Sequence, residues 1–164
     1  MGTTNKKEYM EYIVRTYSDM LLNIAYTYLK NTADAENAVQ VLYVKMIENN
    51  YTQLSFSDKE NEKAWLIRTT INICLNVLSS AHRNKDVELK EEYAGTKEED
   101  NYLFTEVMKL PQNYRTVIHM FYYEGYSIAE IAFYLKKKPA TVGTWLSRAR
   151  EMLRKQLGDD YLED

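Results

Sequence analysis

The sequence predicts an all-α protein of two small helical domains joined by an acidic linker, the second containing a helix-turn-helix. Three observations predict it. Only two prolines and five glycines interrupt 164 residues, and both prolines precede helical patterns. Apolar residues recur three and four positions apart along most of the chain, the spacing of one helix face. Between two such blocks, residues 86–106 hold eight acids against Lys90 and Lys97 with weak periodicity, as a solvated connector does. A hydrophobic content of 45% is enough for real cores, which excludes wholesale disorder.

In the first block, Ile13, Tyr17, Met20, Leu21, Ile24 and Tyr28 mark one amphipathic helix. Thr32 and Asp34 open a second, with Ala35, Val39, Leu42, Met46 and Ile47 on its face. Residues 51–62 read as a polar loop, and a third helix from Lys63 to Ser80 carries Ala64, Ile67, Ile71, Leu75 and Leu78. The second block begins with a short helix near Leu103 to Leu110, followed by one that starts at Pro111 and carries Val117, Ile118 and Phe121. Ser127 and Glu130 form a capping box. The helix they open has Ile128, Ile131, Ala132 and Leu135 on one face. Lys136 to Lys138 is a turn, and Pro139 suits the first position of the next helix. Val142, Leu146, Ala149, Leu153 and Leu157 form the buried side of that last helix. These boundaries give domains over 1–85 and 103–164 with a linker over 86–102.

Charge is divided unevenly. The chain as a whole carries -3, yet residues 136–155 carry +6 and the last nine carry -4. A cationic second helix in a helix-turn-helix calls for a polyanion, and Arg148, Arg150, Arg154 and Lys155 mostly point away from the apolar side, toward phosphates. Other chemistry is poorly provided for. Cys74 is a single cysteine in an apolar helical pattern, and His82 and His119 show no partner pattern, so no zinc site is expected. No phosphate-binding glycine loop or nucleophile-base pair is found. No catalytic residue, metal or cofactor is therefore expected. The fifteen tyrosines recur beside aliphatic residues and read as core-edge groups. The N-terminal MGTTNKKEY is polar and no run approaches membrane-spanning length, so a cytoplasmic protein without direct membrane insertion is expected.

Both blocks resemble a known family. LPQNYRTVIHMFYYEGY (110–126), leading into SIAEIA and then TVGTWLSRAREML, is similar to domain 4 of bacterial sigma factors of the sigma-70 family, extracytoplasmic-function (ECF) group. NTADAENAVQVLYVKMI and KAWLIRTTINICLNVL resemble domain 2 of the same group. The resemblance covers about residues 9–157 in the family's order. It implies a subunit that binds the clamp and flap of core RNA polymerase and directs promoter-specific initiation, with an anti-sigma factor as a further partner. Glu36, Asn37, Gln40, Val41 and Val44 would face the clamp. Phe56, Trp65, Arg68 and Asn72 would serve −10 reading and strand opening. Lys136, Lys137, Lys138, Pro139, Ala140, Thr141, Thr144, Trp145, Arg148 and Arg150 would meet the −35 major groove.

The chain departs from that pattern. Gly143 stands where the family usually has a basic residue, and Trp145 where it has an arginine. Two missing basic contacts weaken phosphate binding and flatten its salt dependence; the lysine triplet compensates in charge. Trp145 is left to pack on a sugar or thymine methyl, or to form a protein-contacting surface. Val41 replaces a frequent acidic residue on the clamp-facing helix. Two alternatives follow: a helix-turn-helix regulator independent of polymerase, or a sigma-like interaction protein without promoter activity.

Overall fold

The structure, a computed structural model, describes the backbone of residues 2–83 and 98–158 and the side chains of 5–80 and 102–158. No strand occurs among the described residues, and the chain divides into two units, Met1–Lys90 and Glu91–Asp164.

The first unit is a three-helix bundle of α1 (Gly2–Leu29), α2 (Thr32–Glu48) and α3 (Lys59–Arg83). Each helix packs on the other two. Ile13, Leu21, Ile24 and Leu29 of α1 meet Leu42 and Met46 of α2 and Leu66 and Ile67 of α3, all fully buried. Burial of this kind contributes about 1.5–3 kcal/mol per side chain. Asn31 caps α2, its side chain accepting from the Asp34 amide at 2.9 Å. Between α2 and α3 the chain makes one 3-10 turn, Gln53–Ser55, capped by Thr52.

The second unit comprises α4 (Glu98–Met108), α5 (Gln112–Ile118), a π-helical turn (His119–Tyr123), α6 (Ile128–Leu135) and α7 (Pro139–Leu157). The long α7 packs against α4, α5 and α6 through buried Val142, Leu146, Ala149 and Leu153. Ser127 and Glu130 form the capping box, with reciprocal bonds of 3.0 and 3.1 Å. Pro139 sits at the start of α7. Buried Arg115 reaches back to the carbonyls of Met108 and Leu110, both at 3.3 Å, and so satisfies acceptors left open where α4 ends.

Several expectations are corrected. Of the acidic linker, residues 86–97 lie outside the described residues, while 98–102 belong to α4. The polar loop ends at Asp58, because Asp58 caps α3 by accepting from the Asn61 amide at 2.8 Å. Ile47, Leu75 and Ile128 were placed on buried faces but are 60%, 42% and 36% exposed. Ile47 lies off the stripe formed by Ala35, Ala38, Val39, Leu42 and Met46. Glu62, placed in a polar loop, is 4% exposed. It is enclosed because two hydroxyls of α1, those of Tyr9 and Tyr17, donate to its carboxylate at 2.9 and 3.0 Å.

Candidate nucleic-acid and polymerase interfaces

The second unit presents its cations at the helix-turn-helix corner. Lys136 closes α6 in the left-handed conformation at φ 55°, donating its amide to the carbonyls of Ala132 and Phe133. A residue with a Cβ is strained there, and its choice over glycine puts a charge where a glycine would carry none. Lys136, Lys137, Lys138, Pro139 and Ala140 are all exposed. They surround the N-terminus of α7, the positive end of the helix dipole. Along α7, Thr144 and Arg148 are exposed while Thr141 and Trp145 are half-buried. These residues share a continuous surface running from the lysine turn.

Arg150 is set apart. Its Nε donates to Tyr122 Oη at 2.7 Å, and its guanidinium lies 5.3 Å from the Phe121 ring centroid. It braces α7 on the π turn through a single donor, Nε. A Cβ added at Gly143 would meet nothing within 4 Å. Packing within the unit therefore does not demand glycine.

In the first unit, Phe56 and Trp65 come together, with ring centroids 5.5 Å apart. The sequence reading missed the third member, Tyr51, which stacks on Phe56 at 5.8 Å and tilts against Trp65 at 4.6 Å. All three rings are half-buried. Arg68 and Asn72 follow Trp65 along α3 at successive turns, the first half-buried and the second exposed. Burial holds the Arg68 guanidinium below its ordinary range. Beside Phe56 lies a hollow of about 330 Å³, lined in part by Tyr9, Tyr12, Lys59 and Glu62. Lys59 donates to Tyr12 Oη at 2.8 Å, and that bond raises its pKa.

Glu36, Asn37, Gln40, Val41 and Val44 are all exposed on α2. Val41 and Val44 are each 52% exposed, and Ile47 extends the apolar strip by one turn. Ile47 also borders an apolar groove of about 680 Å³ between α1 and α2, with Met10, Val14 and Met46 in its lining. Exposed aliphatic groups in such a row are a partner surface in the making.

Two further placements bear on the reading. His119, for which the sequence showed no partner, is buried and bonds Glu124 Oε1 through Nε2 at 3.1 Å. The five-residue spacing does not pair groups on an α-helix; the π turn brings them together. Cys74 is buried, and burial pushes its thiol up to about 12.

A basic helix-turn-helix beside a separate helical unit with an aromatic cluster and an exposed aliphatic strip defines, as a class, a DNA-reading protein with a second interaction module. The family comparisons are specific. The model for sigma-70 region 2 matches residues 13–84, and that for sigma-70 region 4 matches residues 101–153. The chain is 30% identical over 169 residues to the ECF RNA polymerase sigma factor SigW of Bacillus subtilis, covering 90% of this chain and 88% of that one. It is 27% identical over 144 residues to the RNA polymerase sigma factor SigV of the same organism, covering 85% of each. The sigma factor RpoE, solved in complex with the anti-sigma factor NepR from Bartonella quintana, shares the fold. Its TM-score is 0.76 at 22% identity, over 92% of this chain and 97% of that one.

The chain belongs to the sigma-70 family, in its extracytoplasmic-function group. It is a sigma factor, binding core RNA polymerase and promoter DNA and directing promoter-specific transcription; sigma factors are non-catalytic regulators. Among the described residues, no helix is long and apolar enough to cross a membrane.

Proposed function

We propose that the two units divide promoter recognition, the first serving the clamp and the −10 element and the second the −35 element. The proposed domains span 1–85 and 103–164 with an acidic linker over 86–102, whose last five residues fold as the start of α4. The exposed row of Glu36, Asn37, Gln40, Val41 and Val44 supports a clamp-facing role. The half-buried rings of Phe56 and Trp65, joined by Tyr51, offer stacking faces to unpaired bases. Arg68 and Asn72 extend that surface along α3. Strand opening costs a few kcal/mol per base, which a stacking platform and adjoining hollow offset.

At the −35 element, Lys136, Lys137, Lys138 and the amino end of α7 meet phosphates. Ala140, Thr141, Thr144, Trp145 and Arg148 enter the major groove. The observation that carries this reading is the exposed cationic corner at the start of a 19-residue helix, in a chain with an overall charge of -3. Two modest DNA contacts on one chain become useful when core polymerase fixes their spacing. The chain makes no bond itself and works in the cytoplasm, where an anti-sigma factor covers the α2 row and adjoining groove until release.

In vitro transcription tests the proposal. Purified core polymerase, this chain and genomic fragments are combined and RNA 5′ ends are sequenced. Defined starts sharing upstream elements, absent without the chain, are the expected result. Loss of core binding in a Val41→Lys, Val44→Lys double variant, with folding unchanged, is the expected local result; full binding by that variant would sink the clamp assignment.

A further inference from the structure

Apart from Thr141 and Arg148, the face that α7 turns to DNA offers few hydrogen-bond donors. Gly143 has no side chain. Arg150 is drawn onto Tyr122 and Phe121. Thr144 bonds its hydroxyl to the Ala140 carbonyl at 2.9 Å, a common habit of helical threonine, which leaves its methyl as the outward group. Ala140 adds a second exposed methyl. Trp145 is half-buried, and its indole makes no ring contact or hydrogen bond among the described residues. What remains, beside Thr141 and Arg148 on the same face, is a set of apolar groups, Ala140, Thr144 and Trp145, with Lys136, Lys137 and Lys138 at the turn.

That division matches the chemistry of one kind of base pair. In the major groove thymine shows a single apolar group, its C5 methyl, whereas guanine and adenine are read by donors such as arginine or amides. The lysine corner fixes a polyanion without choosing a sequence. We infer that Trp145, with the methyls of Ala140 and Thr144, reads thymine C5 methyls in the −35 element, so that sequence choice there is apolar and phosphates carry the affinity. The inference rests on the proposed −35 role of α7 and adds the base class it selects. Gly143 contributes by absence, since a bare helix flank lets the duplex backbone come closer.

The test uses the holoenzyme assembled with core polymerase and the promoters recovered from mapped starts. Duplexes are compared in which each −35 thymine is replaced by deoxyuridine, which lacks only the methyl. T·A pairs at two or more adjacent −35 positions are expected. Removing one contacted methyl should weaken holoenzyme binding about fourfold, the effect of one buried methyl-sized group. Trp145→Ala should bind thymine and uracil duplexes alike, while Trp145→Phe keeps part of the difference. A purely structural role for Trp145 would lower both affinities together and leave their ratio intact. Defined starts with uracil-insensitive binding, or an unchanged ratio in Trp145→Ala, would overturn the inference and leave the sigma reading standing. A complete lack of defined starts would overturn the promoter reading, and this inference with it.

Discussion

The two units hold their proposed nucleic-acid surfaces in opposite ways. In the second, the proposed reading residues stand on one contiguous stretch, from Lys136 to Arg148, at the turn and along the start of α7. In the first, the aromatic cluster is assembled from two positions of the connection between α2 and α3 and one on α3. It rests beside a buried carboxylate, Glu62, tied to tyrosines 53 and 45 positions away in the sequence. The exposed corner needs little support, because cations in water attract phosphates without precise placement. A stacking platform that must stay open to solvent needs a rigid floor.

The sharpest way to break this contrast is to remove the floor. Glu62→Ala leaves two buried hydroxyls unpaired, so the first unit should lose about 3 kcal/mol, read by chemical denaturation, with the second unit unaffected. The same network sets an alkaline limit. Burial, and then hydrogen bonding, hold Tyr9 and Tyr17 well above the ordinary tyrosine value. The folded state thus keeps protons that the unfolded chain gives up. Stability is full below about pH 10 and falls as pH rises beyond it. The buried Cys74 thiol adds to that slope. Tyr9→Phe should flatten the decline in denaturation midpoints; an unchanged slope would remove Tyr9 from the account.

Next in size is the platform itself. Trp65→Ala should reduce strand opening by about 2 kcal/mol, roughly thirtyfold, in permanganate footprints of polymerase–promoter complexes, while −35 duplex binding stays unchanged. Equal loss at both elements would mean that Trp65 only supports the fold. The second unit should respond more gently. Gly143→Ala fills open space on a helix and should stabilise that unit by about 1 kcal/mol, measured by its thermal midpoint. Smallest is Lys136→Gly. Relief of the left-handed strain should stabilise the turn by about 0.5–1 kcal/mol, while the salt dependence of promoter binding drops by about one phosphate contact.

The same contrast explains what could be read from sequence. The capping box, the turn and the buried stripe of α7 all lie within thirty or so residues and announce themselves by spacing. Tyr51 does not, because nothing local says that it folds back over Trp65. Glu62 looked like one charge among many in KENEK; only the long-range partners on α1 make it a core group. Asp58 as a cap was masked by the same charged cluster. The exposure of Val41 and Val44 was legible as a row, whereas Ile47 was misplaced because an apolar stripe on α2 is wider than the surface its neighbours cover. The bond from Arg150 to Tyr122 was not legible, because the two lie 28 positions apart.

The π turn at His119–Tyr123 has an evolutionary consequence. It accommodates one residue more than an α-helical turn would without breaking the helix. Every position after it is rotated by about 100° relative to an uninterrupted helix. The wider turn itself carries Tyr122, which meets Arg150, and brings Glu124 to His119. Homologues with a plain α-helix here would align one residue out of step, and would then have to hold their final helix by some other pair.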